Sequence, residues 1–214
     1  MVVVRRLLGR RGALGVLIAL ALAYAAPHRP EAGTAPEAVI ETLVQHIVQL
    51  LESDELARED ATERLARTIG EDVDLDRLGR LVLGRHWRSA DEAQQAEYLE
   101  LFRQLMLSKF MSHLGVYSGK ELDSASDLFT IEGSRPIGER DVIVDSVVRP
   151  PDRPPVRAAW RLRGDDGGWV IIDLIVENVS LLISQRAEFA TVIERGGIDG
   201  LLGEMRERVA TSRS

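Results

Sequence analysis

The chain contains no cysteine among its 214 residues. That absence excludes disulfides, thiolate metal sites and an N-terminal cysteine carrying lipid. Histidine is scarce and scattered: His28, His46, His86 and His113 form no close pair and no H-E-x-x-H, so a zinc site is not expected. No uncharged run reaches the roughly 20 residues of a membrane-spanning helix; the longest, Gly12 to Pro27, has 16. Positive charge is also in deficit, with a formal net charge of -7. An acidic chain is a poor partner for nucleic acid or for an anionic leaflet.

The apolar run does carry the marks of an export signal. Arg5, Arg6, Arg10 and Arg11 precede it, and Ala23-Tyr24-Ala25 fits the small-x-small pattern of a cleavage site. The expected organisation is a cleaved signal over 1–26, a Pro-containing linker over 27–33, one domain over 34–210 and a tail over 211–214. An uncleaved N-terminal anchor is the rival reading. Loss of the four arginines takes the net charge to about -11.

Helical spacing dominates the first half of that domain. Thr34-Ala35-Pro36-Glu37 reads as a capping box, followed by Ile40, Leu43, Val44, Ile47, Leu50 and Leu51 at helical steps. A more polar helix is expected over 58–69, and another over 75–87. Ser89-Ala90-Asp91-Glu92 reads as a second capping box, opening the longest helix, to about Leu114. Leu99, Phe102, Met106, Phe110 and Leu114 mark its apolar stripe, widened by Leu101 and Leu105.

From Leu122 the period changes to two. Strands are expected over 126–132, 141–148, 156–163 and 169–177, the last pair joined by a turn over 164–168. In the last strand, strict alternation puts Val170, Ile172, Leu174 and Val176 on one face, with Ile171 and Ile175 on the other. Both faces then need cover. A helical pattern through Leu182, Phe189, Val192 and Ile193 follows and stops at Gly196-Gly197. Helices, a four-stranded antiparallel meander and further helices define an α+β fold.

No catalytic motif emerges. G-x-S-x-G and P-loop spacing are missing, and Asp72, Asp74 and Asp76 lack the glycine and glutamate of a calcium loop. Those aspartates read instead as charges at a helix N-terminus. Arg85 and Arg103, polar groups in apolar helical segments, could meet a phosphate, although pairing with a carboxylate is the simpler expectation.

Four segments, in order, resemble the MlaC family of toluene-tolerance auxiliary proteins: Leu81-Val82-Leu83-Gly84-Arg85-His86-Trp87 with Leu101-Phe102-Arg103; Arg153-Pro154-Pro155-Val156; Gly167-Gly168-Trp169 with Asp173 to Ser180; and Arg195 to Leu201. His86 departs from a tyrosine common in that family, and Ser184-Gln185 from an Asn-Tyr pair. The resemblance implies a periplasmic carrier whose strongly twisted four-stranded antiparallel sheet and helices surround an apolar lipid cavity. Its cargo would be phospholipid, with no cofactor and no metal. Its partners would be an inner-membrane ABC transporter with a lipid-binding ring and an outer-membrane lipoprotein held with a porin, maintaining lipid asymmetry. No nucleic acid is implied, and a monomer is expected.

The lipid-lining residues so implied are Val82, Leu83, Trp87, Phe102, Met106 and Phe110 on helices, and Val142, Val144, Trp160, Leu162, Val170, Ile172, Leu174 and Val176 on the sheet. Apolar stripes are ordinarily just core, and 45% hydrophobic residues is an ordinary content. Two features favour a cavity: wide apolar arcs in a modest domain, and a soft wall of Met106, Met111 and Phe110. The rivals are a periplasmic adaptor or chaperone with a solid core, and a cone-shaped hydrolase or isomerase using Asp173 or His86.

Overall fold

The structure, a computed structural model, describes residues 35–52, 66–67, 69–70, 73–114, 128–150, 153–165 and 168–212. The expected signal, linker, last tail residues, Thr34 and Asp72 lie outside these, as does most of the helix expected over 58–69.

Helix α1 (Pro36–Glu52) presents Ile40, Leu43 and Leu50 as one buried stripe. Residues 66–67 and 69–70 are helical. Helix α2 (Leu75–Leu83) starts at Asp74, whose Oδ1 accepts the backbone N–H of Arg77 at 2.8 Å. It ends at Gly84, φ 59°, and passes into a 3₁₀ helix over Gly84–Ser89. The expected helix to Trp87 therefore changes winding four residues early, where glycine permits left-handed backbone.

Helix α3 (Glu92–Leu114) is capped by Asp91, not Ser89. Asp91 Oδ1 accepts the N–H of Gln94 at 2.8 Å, while Gln94 Oε1 accepts the N–H of Asp91 at 3.1 Å. This is the reciprocal box displaced by two residues, with Gln in place of Glu. The Ser89 hydroxyl donates instead to the His86 carbonyl.

Five strands follow: β1 (Phe129–Ile137), β2 (Asp141–Val148), β3 (Val156–Asp165), β4 (Gly168–Val176) and β5 (Val179–Ser180), in sheet order β1-β2-β3-β4-β5 and antiparallel throughout. β1 ends five residues later than expected, because an extra residue at Glu132 keeps it paired with β2; residues 126–127 of the expected strand lie outside the described residues. The fifth strand was not expected. Glu177 and Asn178, both at positive φ (48° and 66°), turn the chain back on itself as the primed hairpin turns do.

A second bulge corrects the facing of β4. Arg161 pairs with Asp173 but Leu162 pairs with Ile171, so Ile172 is the inserted residue. One extra residue reverses the alternation beyond it. By register, Leu174 and Val176 share a face with Ile171 and Trp169, while Val170 shares the opposite face with Arg163 and Asp141.

Helix α4 (Leu181–Ser212) breaks at Gly197 (φ 68°, ψ -170°), where the apolar pattern was expected to stop, and then resumes. The resumed half carries Leu201, Leu202, Met205 and Val209 into the core. An ion pair between Arg208 and Glu188 at 2.5 Å spans the two halves.

Two apolar cores result. One lies between α1 and the sheet, joined by Val73, Leu75 and Leu107; its buried members include Val144, Leu162 and Ile171. The other is wholly helical, formed by α2, α3 and α4 around Tyr98, Phe102, Phe189 and Leu202.

Candidate functional site

The sheet-side core is the candidate site, and its texture separates it from the helical core. A small fully buried centre is surrounded by a larger set of half-buried apolar groups, among them Val44, Ile47, Met106, Phe110, Trp160 and Trp169. In the helical core the fully buried groups predominate. Half-exposed apolar surface around a thin core is what a removable apolar guest would cover.

An open cavity of about 640 Å³ leads into this region. Its floor is Ala66, Val73, Leu75, Leu107 and Trp169, all members of the sheet-side cluster. Its rim carries Asp74, Asp76 and Arg103, with Val170 and Gly70 completing the wall. Arg103 is pinned by two carboxylates: Nε donates to Asp76 Oδ1 at 3.0 Å, and Nη1 to Glu100 Oε2 at 2.8 Å. Pairing with carboxylates is the expectation the sequence favoured for this arginine. The rim is therefore polar and the floor apolar, an order that suits an amphipathic molecule entering tail first.

The inner sheet face is held in shape by local polar bonds. Ser146, buried, donates from Oγ to the Ala158 carbonyl at 2.8 Å and accepts the Trp160 indole N–H at 3.0 Å. The Trp160 ring meets Phe129 edge-on at 6.4 Å. These contacts satisfy the only polar atom of that indole and leave its ring as apolar wall.

The opposite face carries a charged cluster at one end. Asp141, buried, accepts from Arg161 (Nε, 2.9 Å) and from Arg163 (Nε, 2.7 Å). The Arg163 hydrogen bond, helped by that from Arg161 and opposed by burial, lowers the Asp141 carboxyl to a pKa of about 2.

Of the lipid-lining residues read from the sequence, Phe110, Val142, Val144, Trp160 and Leu162 belong to the sheet-side cluster. Met106 touches both clusters. Leu174 and Val176 share the inner face by register, and Val170 lines the cavity. Ile172, the bulge residue, is buried in neither cluster. Val82, Leu83 and Phe102 are buried in the helical core, with Trp87 packed against it. The structure does not bring those four together with the sheet. Missed from the sequence were Ile40, Val73, Leu75, Leu107, Ile131 and Trp169; the α1 stripe was the one available signal for a cover over the sheet.

The two polar groups that a hydrolase or isomerase would need have local tasks. Asp173 accepts the Ser180 hydroxyl at 2.5 Å and the Leu182 N–H at 3.0 Å, tying β4 to the start of α4. Ser180 Oγ in turn accepts the Ile183 N–H. Glu177 accepts the Arg157 N–H. The segment Asp173 to Ser180 is thus a structural clasp. His86 sits in the 3₁₀ turn and accepts a bond from Arg85 at 3.3 Å. Among the described residues no group of three or more His, Asp or Glu is placed to hold a metal ion, and no helix is long and apolar enough to cross a membrane.

Comparison with known proteins agrees with the fold. The family profile described as "MlaC protein" matches residues 41–207. A curated relative, the intermembrane phospholipid transport system binding protein MlaC of Haemophilus influenzae, is 23% identical over 139 residues, 63% of this chain and 62% of that protein. The chain thus spans somewhat under two thirds of that relative's length. The solved structure of a phospholipid-binding protein from Ralstonia solanacearum, in complex with a phospholipid, superposes with a TM-score of 0.70 at 21% identity. That match covers 85% of this chain and 100% of the other, and shows a shared fold.

Proposed function

The chain belongs to the MlaC family, and from that premise we propose that it is a periplasmic phospholipid carrier within an intermembrane transport system. The observation that carries this reading is the cavity with a polar rim and an apolar floor continuous with the sheet-side core. The relatives support it by their descriptions, one as a transport-system binding protein and one as a phospholipid complex.

In this reading the tails lie between α1, the second half of α3 and the inner face of the sheet. Met106, Phe110, Val142, Val144, Trp160, Leu162, Leu174 and Val176 form the wall, and Val170 the entry. Val82, Leu83, Trp87 and Phe102 hold the helical frame beneath. Exposing two acyl chains of about 30 methylenes to water would cost on the order of 20 kcal/mol at roughly 0.8 kcal/mol per CH₂. A dry seat for the tails removes most of that barrier. Because a bilayer offers the tails nearly the same environment, handover in either direction needs no cofactor on the carrier and no catalytic residue.

Residues 1–26 act as the export signal, 27–33 as linker and 34–210 as a single lipid-binding domain, acting as a monomer. The partners are an inner-membrane ABC transporter with a lipid-binding ring and an outer-membrane lipoprotein–porin complex. The experiment is transfer of fluorescent phospholipid between two vesicle populations held apart by a dialysis membrane. The carrier reading expects the chain lacking residues 1–26 to move lipid without nucleotide; an adaptor with a solid core moves none.

A further inference from the structure

Ser146 is a buried polar residue in the middle of an apolar wall. It is 2% exposed, lies on the inner face of the sheet and pairs with Ala158. A buried indole needs a partner for its N–H, and the Ser146 hydroxyl serves Trp160 in that way while donating its own proton to the Ala158 carbonyl. The bond fixes which way the ring leans. On β3 the cavity opening lies at Gly164, the partner of Trp169, and Trp160 is four residues further in. Ser146 and Ala158 form the next inner-face pair beyond Trp160, so the indole leans away from the opening, towards two small residues. There it meets the ring of Phe129, which sits deeper still, opposite Val148. The two rings make a bar across the inner face from β3 to β1.

Resting on the carrier reading, we propose that Trp160, anchored by Ser146, is the end wall of the acyl-chain seat and sets the longest tail that the seat accepts. At about 3.3 Å per strand residue, four residues place it roughly 13 Å below the opening. One leaflet of a typical bilayer is about 15 Å deep in hydrocarbon, so tails of ordinary membrane length fill the seat to the wall. A longer tail must leave its surplus methylenes at the opening, in water, whereas a bilayer buries them. Each such methylene shifts the partition about fourfold towards the bilayer. The wall is the ring and not the end of the sheet. Beyond it the inner face continues through Val176, opposite Ala158, and Val148, opposite Val156. A smaller side chain in place of Trp160 therefore lengthens the seat. The hydrogen bond to Ser146 matters because a ring free to swing aside would let longer tails pass.

The test uses the chain lacking residues 1–26 and fluid vesicles of equal parts dipalmitoleoyl and dieicosenoyl phosphatidylcholine, which share a headgroup and differ only in tail length. After incubation the protein is separated from the vesicles and its lipids are quantified by mass spectrometry. The result expected is an eicosenoyl-to-palmitoleoyl ratio on the wild-type protein about tenfold below that of the vesicles. Trp160→Leu removes the ring while keeping the wall apolar, and should bring the ratio to within about twofold of the vesicles, whatever its total loading. Ser146→Ala keeps the ring but frees it, and should raise the ratio about threefold over wild type. A merely structural role for either residue would lower both lipids together and leave the ratio as it was. A wild-type ratio equal to that of the vesicles overturns the end wall, as does a depletion that survives Trp160→Leu. If that variant does not fold, Ser146→Ala decides in the same way. A wild-type protein that takes up neither lipid overturns the carrier reading itself, a different and separately legible failure.

Discussion

The hydroxyl of Tyr98 on α3 donates to the carbonyl of Gly79 on α2 at 2.9 Å, inside a contact where both residues are buried. Burial drives the Tyr98 phenol far above its ordinary pKa, so it stays a donor at any pH the protein meets. Gly79 is needed because a methyl group there would meet Leu99 Cδ2 at 3.0 Å and the Phe102 ring at 3.1 Å. Two helices this close leave the helical core little room to adjust.

Gly79→Ala tests that contact. Alanine favours the helix by about 1 kcal/mol, but overpacking against a ring costs about 1–3 kcal/mol. The expected net effect is a loss of about 1 kcal/mol in urea unfolding, the reverse of what an open helical site would show. Tyr98→Phe should lose about 1 kcal/mol more than a surface Tyr→Phe control.

The Asp173 clasp predicts a second loss. Asp173→Ala removes the acceptor for both Ser180 Oγ and the Leu182 N–H. Its cost should be about 2 kcal/mol, with hydrogen exchange rising first at the start of α4. Unchanged protection there would contradict the clasp.

Asp141 sets an acid limb of stability. Its folded pKa, about 2, lies below the ordinary carboxylate value. A group lowered on folding stabilises the protein above its unfolded pKa, about 4, and this contribution is lost as pH falls from there towards 2. The amount is about 2 kcal/mol. Asp141→Asn should therefore flatten the fall in stability between pH 4 and 2, measured by chemical unfolding at each pH.

The division into two cores predicts different consequences for two groups of lipid-lining candidates. Leu83→Ala in the helical core should cost about 2–5 kcal/mol while folded molecules keep their lipid. Met106→Trp, at the half-buried edge of the sheet-side core, should reduce bound lipid per protein with a Tm within a few degrees of wild type. Equal lipid loss in both would contradict the assignment.

Much of this fold can be read from the chain. The period-two stretch over Asp141–Val148 is the strand itself, and the break at Gly197 falls where the apolar pattern stops. What escaped had no local mark. A bulge is one extra residue in an unbroken apolar run, so nothing in Ile171-Ile172 shows that the faces exchange there. Glu177-Asn178 turns at positive φ without a glycine, which hid β5. Periodicity shows that Phe102 and Phe110 both point inward, but not that one stacks on Tyr98 in the helical core and the other packs against the sheet-side core. That choice is made by tertiary packing.

The central claim is that the sheet-side core holds phospholipid. It is tested most directly by organic extraction and lipid mass spectrometry on the protein lacking residues 1–26, purified from a Gram-negative periplasm without detergent. This account predicts close to one phospholipid per chain. A stably folded protein that carries none, and takes none from vesicles, would contradict it.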